Sequence, residues 1–362
     1  MLIPFLAAVL AGAQPISVAP AAALPAPPLQ MTEGDFTIRD FAFASGERLA
    51  VLRLHYTTLG VPHRDARGKI DNAVMVLHGT GGTGRQFLLP QFARLYGTGQ
   101  PLDLARSYVI LPDGIGHGGS SKPSDGLHAR FPHYDYADMV RAQHALLVDG
   151  LHIDRLRLLM GTSMGCMHAF VWGEAYPGFA RALMPMACLP VEIAGRNRLW
   201  RKLSIDAIKA DRAWQGGEYK AQPTAGLRTA AALTIVAGTA PVRLQTELPT
   251  RAAAEGWLAG RVEARLVDGD ANDTVYALDA SRTYDPLAGL GAITVPVAWV
   301  NSADDFINPP GLRIAERLVG RMPRATFRLI PESAETHGHG THSWAAFWQD
   351  DLTALLQRST AD

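Results

Sequence analysis

Ten consecutive residues constrain this chain more than any others. Leu158-Leu159-Met160 closes an apolar run that begins at Leu156 and is broken only by Arg157. Gly161-Thr162-Ser163-Met164-Gly165-Cys166-Met167 follows without a gap. The run reads as a buried strand, and the residues after it carry a helical pattern to Tyr176 that stops at Pro177. Gly-x-Ser-x-Gly between a strand and a helix predicts a sharp turn that holds its serine in a strained backbone conformation. Glycines two residues to either side are expected, because side chains there would meet the neighbouring strand and helix. Ser163 is therefore the candidate nucleophile.

Composition narrows the context. The 362 residues are 48% hydrophobic, enough for one large core or a core with a cap. Formal net charge is zero and no basic patch is present, so nucleic acid is not expected as a partner. No Cys/His cluster has metal-ligand spacing, so neither a metal nor another cofactor is expected. The two cysteines, Cys166 and Cys188, lie in apolar surroundings and read as small buried hydrophobes rather than as a bridge.

The chain opens on a short apolar run, Leu2 through Leu10, ending in the small-x-small pattern Ala11-Gly12-Ala13. The run is too short to span a bilayer. It reads as a secretory signal peptide cleaved near Ala13, although the usual basic residue at its start is missing. A secreted or periplasmic location follows. Residues 1–30 are thus taken as leader and Pro/Ala-rich lead-in.

Short alternating segments over 36–58 predict two antiparallel strands. Strands are then expected at 73–77, 108–111, 156–160, 182–188, 295–300 and 326–330. Helices are expected over 85–96, 136–149, the stretch after Ser163, and 341–357. The alternation predicts an α/β fold with a mostly parallel, doubly wound sheet, built from residues 31–189 and 291–362. Between them, residues 190–290 show helical patterns and no strand, as in an inserted helical cap. Trp200, Trp214 and Trp257 fall in that segment and are read as cap core.

A serine hydroxyl needs a base to take its proton and an acid to orient that base. The base is expected in His337-Gly338-His339-Gly340-Thr341-His342, just after the last strand. His339 is preferred, because glycines flank it on both sides; His337 and His342 read as loop or helix-start residues. The acid is expected after the preceding strand, where Asp305 in Asp-x-Ile-x-Pro is preferred to Asp304, read as a capping or solvated neighbour. All three groups would lie at the carboxyl ends of parallel strands. The order Ser163, Asp305, His339 is that of the α/β-hydrolases. Two N–H donors should face the developing oxyanion: the backbone of Met164, and that of Thr80 in the loop His78-Gly79-Thr80-Gly81. His78 reads as structural. The Gly-x-Gly spacing in Asp113-Gly114-Ile115-Gly116-His117-Gly118 reads as a rim loop rather than a phosphate cradle. Asp138 and Arg141 read as an ion pair.

Gly161-Thr162-Ser163-Met164-Gly165-Cys166-Met167 with Trp172 and Tyr176-Pro177 resembles the homoserine O-acetyltransferase branch of the α/β-hydrolases. Asp138-Met139-Val140-Arg141-Ala142-Gln143 and Tyr108-Val109-Ile110-Leu111-Pro112-Asp113 carry the same resemblance. It implies an α/β-hydrolase fold with a helical cap, an acyl-serine intermediate on a Ser163, Asp305, His339 triad, and a homodimer formed through the cap. The sequence also departs from that pattern. Cys166 stands where the branch usually has glycine, and the loop after the first parallel strand is closer to an esterase's. The cap shows no placed arginine for an amino-acid carboxylate, only Arg196, Arg198 and Arg201, a run that reads as a solvated face. The expected activity is hydrolysis of a small-molecule carboxylic ester. Acyl transfer from acyl-CoA to an alcohol such as homoserine is the alternative, and a binding protein on the same scaffold a third reading.

Overall fold

A computed structural model describes residues 30–359; the leader and cleavage site expected near the amino terminus lie outside the described residues. The strands are β1 (Met31–Ala42), β2 (Arg48–Leu59), β3 (Ala73–Leu77), β4 (Tyr108–Pro112), β5 (Leu158–Thr162), β6 (Leu183–Met186), β7 (Val297–Ser302) and β8 (Ala325–Ile330). They form one sheet in the order β1-β2-β4-β3-β5-β6-β7-β8. β1 pairs antiparallel with β2, and β2 with β4; every later pairing is parallel. Direction of travel across the sheet reverses at β3, whose neighbours are β4 and β5. The loops after β3 and β5 therefore open side by side at the carboxyl ends, where open sheets leave a crevice.

The helices are α1 (Tyr136–Ala145), α2 (Met164–Ala175), α3 (Gly195–Ala210), α4 (Thr224–Ala237), α5 (Pro241–Glu247), α6 (Arg251–Val267), α7 (Ala271–Asp279), α8 (Ile314–Leu318) and α9 (Gln349–Ser359). The central strands are buried along their whole length, as a sheet covered on both faces requires. Their side chains alternate strictly. Ala73, Met75, Leu77 and Leu159 pack with Met139, Cys166, Phe170 and Trp172 of α1 and α2. Val74, Val76, Leu158 and Met160 pack with Phe87, Phe92, Trp348, Leu352 and Leu355 on the other face. The segment from α3 to α7 has its own apolar cluster, including Trp200, Ile208, Leu227, Val275 and Leu278.

Several local expectations are corrected. Residues 85–96 do not form one helix but two 3-10 turns, Gly84–Leu88 and Pro90–Leu95. Pro90 forces Leu89 into extended backbone and removes an N–H, so the turn cannot continue. The closing helix starts at Gln349 rather than near 341, because Gly338–Ser343 and Ala345–Phe347 are 3-10 turns that set the histidine loop. α1 ends at Ala145 and passes into a π turn over Leu146–Gly150. Asp138 does more than pair with Arg141. Its buried carboxylate also accepts from the N–H groups of Ala44 (2.9 Å) and Asp135 (3.1 Å), tying the β1–β2 turn to α1.

The cysteines are not independent hydrophobes. Cys166 and Cys188 form a disulfide with Cα atoms 5.9 Å apart. The exit of β6 passes beside the first turn of α2, a proximity that the 22-residue separation does not reveal. A loop of that size corresponds to about 3 kcal/mol of stabilisation. Replacing both cysteines by alanine should lower the urea midpoint accordingly and abolish any effect of dithiothreitol on it. A wild-type melt unchanged by full reduction would contradict this.

Three histidines are buried under the loops at the carboxyl ends. Burial pushes His78 down to about 4. Burial, aided by the nearby His78, takes His117 down to about 3. Burial and the adjacent His339 do the same to His342. Folded, these rings stay neutral; unfolded, they take up protons near 6.5. Between those values the unfolded chain binds more protons, so stability falls as pH falls. The urea-unfolding free energy should drop from pH 7 to pH 4 by up to about 1.4 kcal/mol per pH unit for each histidine. The slope should be shallower in His342→Gln; a pH-independent unfolding free energy would exclude the effect.

Candidate active site

Ser163 joins β5 to α2 with φ +53° and ψ −108°, a conformation few side-chain-bearing residues adopt. The surrounding backbone imposes it. Ser163 N–H donates to the Met186 carbonyl of β6 at 2.8 Å. A β-carbon on Gly161 would lie 2.2 Å from the Gly165 carbonyl oxygen, and one on Gly165 would lie 2.2 Å from that of Leu77. Only glycine lets β5, β3 and α2 approach this closely.

The three expected side chains meet. Ser163 Oγ lies 2.8 Å from His339 Nε2, and His339 Nδ1 lies 2.9 Å from Asp305 Oδ2. The Asp305 carboxylate fixes the tautomer: Nδ1–H donates to it, and Nε2 is left to accept from the serine hydroxyl. Asp305 is 2% exposed. Its Oδ1 accepts from the N–H groups of Ile307 (2.7 Å) and Asn308 (3.0 Å), and Oδ2 also accepts from the Asn308 amide at 3.0 Å. Burial alone would push this carboxyl up, but the His339 ring and the Asn308 hydrogen bonds hold it below the ordinary carboxylate range. Asn308 was not anticipated, although it occupies the variable position of the Asp-x-Ile-x-Pro pattern.

Asp304 is not a solvated neighbour. Its buried carboxylate accepts from Ser302 Oγ, from Thr336 Oγ1 at 2.7 Å and from Gly338 N–H at 3.0 Å. Adjacent acids thus divide the work, Asp305 holding the His339 ring and Asp304 the backbone that carries it. Gly338 is required for a different reason from the one expected. It has φ +62°, and a β-carbon there would lie 2.3 Å from the Thr239 carbonyl oxygen between α4 and α5. His337 stacks on Trp344 with ring centroids 4.3 Å apart, and His342 lies edge-on to His339 at 5.2 Å.

The loop after β3 lies against Ser163. A β-carbon on Gly79 would sit 3.4 Å from Ser163 Cβ. Among the described residues, neither Thr80 N–H nor Met164 N–H donates to any protein acceptor. His78 acts structurally: Nδ1–H donates to the Gly79 carbonyl at 2.8 Å and Nε2 accepts from Gly114 N–H at 2.9 Å. Gln86, which no sequence pattern marks, bridges Gly79 N–H and Thr162 Oγ1 at 3.4 Å each. In the rim loop, Gly114 N–H donates to His78 Nε2 (2.9 Å) and Gly116 N–H to the Ser121 carbonyl (2.9 Å), so neither is free to cradle a phosphate.

A cavity of about 540 Å³ extends from Thr80–Thr83 and Gly116–Gly118 to Trp200, Leu227, Arg265 and Leu278 under the inserted helices. Trp200 therefore both packs the cap and faces this space. The arginine run is not simply a solvated face. Arg201 is 1% exposed, donates to Asn197 Oδ1 (3.1 Å) and Ser281 Oγ (3.4 Å), and lies over the Trp200 ring. Arg196 lies 3.7 Å over Phe306. Among the described residues no group of three or more His, Cys, Asp or Glu is arranged to hold a metal, and no single helix is long and apolar enough to cross a membrane.

Residues 72–336 match the family model described as the alpha/beta hydrolase fold. The homoserine O-acetyltransferase of Moorella thermoacetica is 31% identical over 311 residues, 74% of this chain and 80% of its own length. Matches to other homoserine O-acetyltransferases cover 52% and 87% of those proteins. The solved homoserine O-acetyltransferase of Bacillus anthracis has a TM-score of 0.80 at 20% identity, over 91% of this chain and 98% of that one. Esterase E22 has a TM-score of 0.79 at 18% identity, over 90% and 100%. At those identities the structural likeness is one of fold. The chain belongs to the α/β-hydrolase family of enzymes, in its homoserine O-acetyltransferase-like branch.

Proposed function

We propose that this protein is a serine hydrolase of small carboxylic esters that works through an acyl-serine. The observation that carries the reading is the unbroken line of hydrogen bonds from Asp305 through His339 to Ser163, with two free N–H groups beside the hydroxyl. Ser163 Oγ attacks the ester carbonyl as its proton passes to His339 Nε2. The carbonyl oxygen takes the negative charge and is held by Met164 N–H and Thr80 N–H. The intermediate collapses, His339 protonates the departing alcohol, and the acyl group stays on Ser163. Water then attacks, giving its proton to His339, and collapse releases the acid and restores the serine. Asp305, held below the ordinary carboxylate range, stays ionised at neutral pH and compensates the imidazolium at each step.

Hydrolysis is preferred to transfer on the loop after β3, whose His78-Gly79-Thr80-Gly81-Gly82 run is closer to an esterase's, although the cavity does carry the cationic side chains of Lys122 and Arg265. Export is proposed as well, supported by the leader-like amino terminus and by the Cys166–Cys188 disulfide, which persists best in an oxidising compartment. Acyl transfer is kept as a second reading, on the sequence likeness to homoserine O-acetyltransferases.

On p-nitrophenyl acetate, Ser163→Ala should lower kcat by on the order of 10⁴-fold or more, and Asp305→Asn by roughly 10³–10⁴-fold. Unchanged turnover by Ser163→Ala would remove the reading. With acetyl-CoA as donor, CoA release should be no faster when homoserine is added. A homoserine-dependent rise, with O-acetylhomoserine as product, would replace hydrolysis by transfer.

A further inference from the structure

We propose that the side-chain hydroxyl of Thr80 is a third donor to the oxyanion, beside the two backbone N–H groups. The proposal rests on the acyl-serine reading and adds to it a catalytic side chain. The starting observation is an oddity of energy. Thr80 Oγ1 is out of contact with solvent and has no hydrogen-bond partner among the described residues. A hydroxyl left so is destabilising, and valine would fill the same volume without that penalty. Nothing in the resting structure repays the oxygen.

Its surroundings explain why it stays unpaired. The polar groups of the loop are taken up by one another. The Gly79 carbonyl accepts from Gly82 N–H and from His78 Nδ1–H. Gly79 N–H and Thr162 Oγ1 are both taken by the Gln86 amide. Thr80 Oγ1 is left without a partner among the described residues. Other hydroxyls are unpartnered too, those of Ser107, Tyr134 and Tyr136, but of these four Thr80 alone lines the cavity under the inserted helices.

Position then says what the hydroxyl can do. Thr80 follows Gly79, the residue whose α-carbon backs onto Ser163, and its own N–H also lacks an acceptor. The hydroxyl is separated from that nitrogen only by Cα and Cβ. A staggered rotamer with Oγ1 gauche to the nitrogen aims both donors at one acceptor. Because Oγ1 makes no bond where it rests, turning it toward the substrate breaks none. The acceptor worth turning to is the one that gains negative charge as Ser163 adds to the carbonyl. A hydroxyl that pairs with nothing in the free enzyme and with the oxyanion in the transition state contributes to kcat rather than to ground-state binding.

The test uses the full-length protein, Thr80→Val and Thr80→Ser, with p-nitrophenyl acetate as substrate and an alkyl trifluoromethyl ketone as a probe that forms an oxyanion on the serine. Thr80→Val keeps the N–H and the shape. It should lower kcat by about 10–100-fold, with KM changed by less than about twofold, and weaken the ketone by a similar factor. Its melting temperature should be unchanged or higher, since an unsatisfied hydroxyl has been removed. Thr80→Ser should retain kcat within about threefold. The proposal is overturned if Thr80→Val keeps wild-type kcat, if the loss falls on KM alone, or if Thr80→Ser is as impaired as Thr80→Val. It is also overturned if the valine variant loses activity only in step with a lower melting temperature. A wild-type enzyme whose turnover survives Ser163→Ala sinks the acyl-serine reading itself, and this proposal with it.

Discussion

A side-chain-bearing residue held at φ +53° is the constraint on which the rest of this structure turns. The conformation of Ser163 costs on the order of 1–3 kcal/mol and persists only where the surroundings leave no alternative. Here they leave none. The Leu77 and Gly165 backbones are in contact, Gly161 abuts Gly165, and the Met186 carbonyl takes the serine N–H. β3, β5, β6 and α2 all contribute, so the strain is borne by the best-buried part of the core. The disulfide from Cys166 to Cys188 crosses the same junction, fastening the first turn of α2 to the exit of β6. A looser elbow would relax Ser163 toward ordinary backbone and carry its hydroxyl away from His339.

His339 has the opposite difficulty. Ser163 stands on regular elements, whereas His339 stands in a 3-10 turn after an edge strand, where backbone is least determined. Paired carboxylates compensate. Asp304 gathers Ser302, Thr336 and the Gly338 N–H, fixing the course of the loop, while Asp305 fixes the rotation of the ring. Losing the first would free the loop; losing the second would free only the imidazole. Gly338 lies close enough to the Thr239 carbonyl that the loop also depends on the inserted helices. The position of His339 therefore depends on both the sheet and the cap.

What the sequence made legible follows from the range of the forces involved. Ser163 was readable because its strand, turn and helix are contiguous, and Asp305 and His339 because each sits just past a strand with a clear apolar pattern. The sheet and the strandless insertion were readable for the same reason. Cys166–Cys188, Gln86 and Asp304 were not, because each acts between segments far apart in sequence and none belongs to a periodic pattern. The 85–96 stretch failed differently. Its apolar spacing suits a helix, but Pro90 overrides spacing by deleting a donor and extending the residue before it. Arg201 failed because a basic run is usually solvated, and only packing against Trp200, Asn197 and Ser281 shows that this one is not.

Hydrolysis and acyl transfer share their chemistry up to the acyl-serine, so what separates them must lie in what reaches that ester next. Water needs no binding site; an alcohol acceptor must be held long enough to win against it. The cavity under the cap is lined by Trp200, Leu227 and Leu278, by glycines and threonines from the loop after β3, and by the charged residues Lys122, Arg265, Asp268, Asp270 and Asp273. Such a lining offers apolar area to a small acyl ester and charges of both signs to an ionic acceptor. The buried guanidinium of Arg201 is already engaged by Asn197, Ser281 and the Trp200 ring, and recruiting it would mean breaking those contacts in a packed helix. The direction in which this scaffold leans is thus set less by Ser163 than by whether an acceptor engages the cap's Arg265 before water arrives.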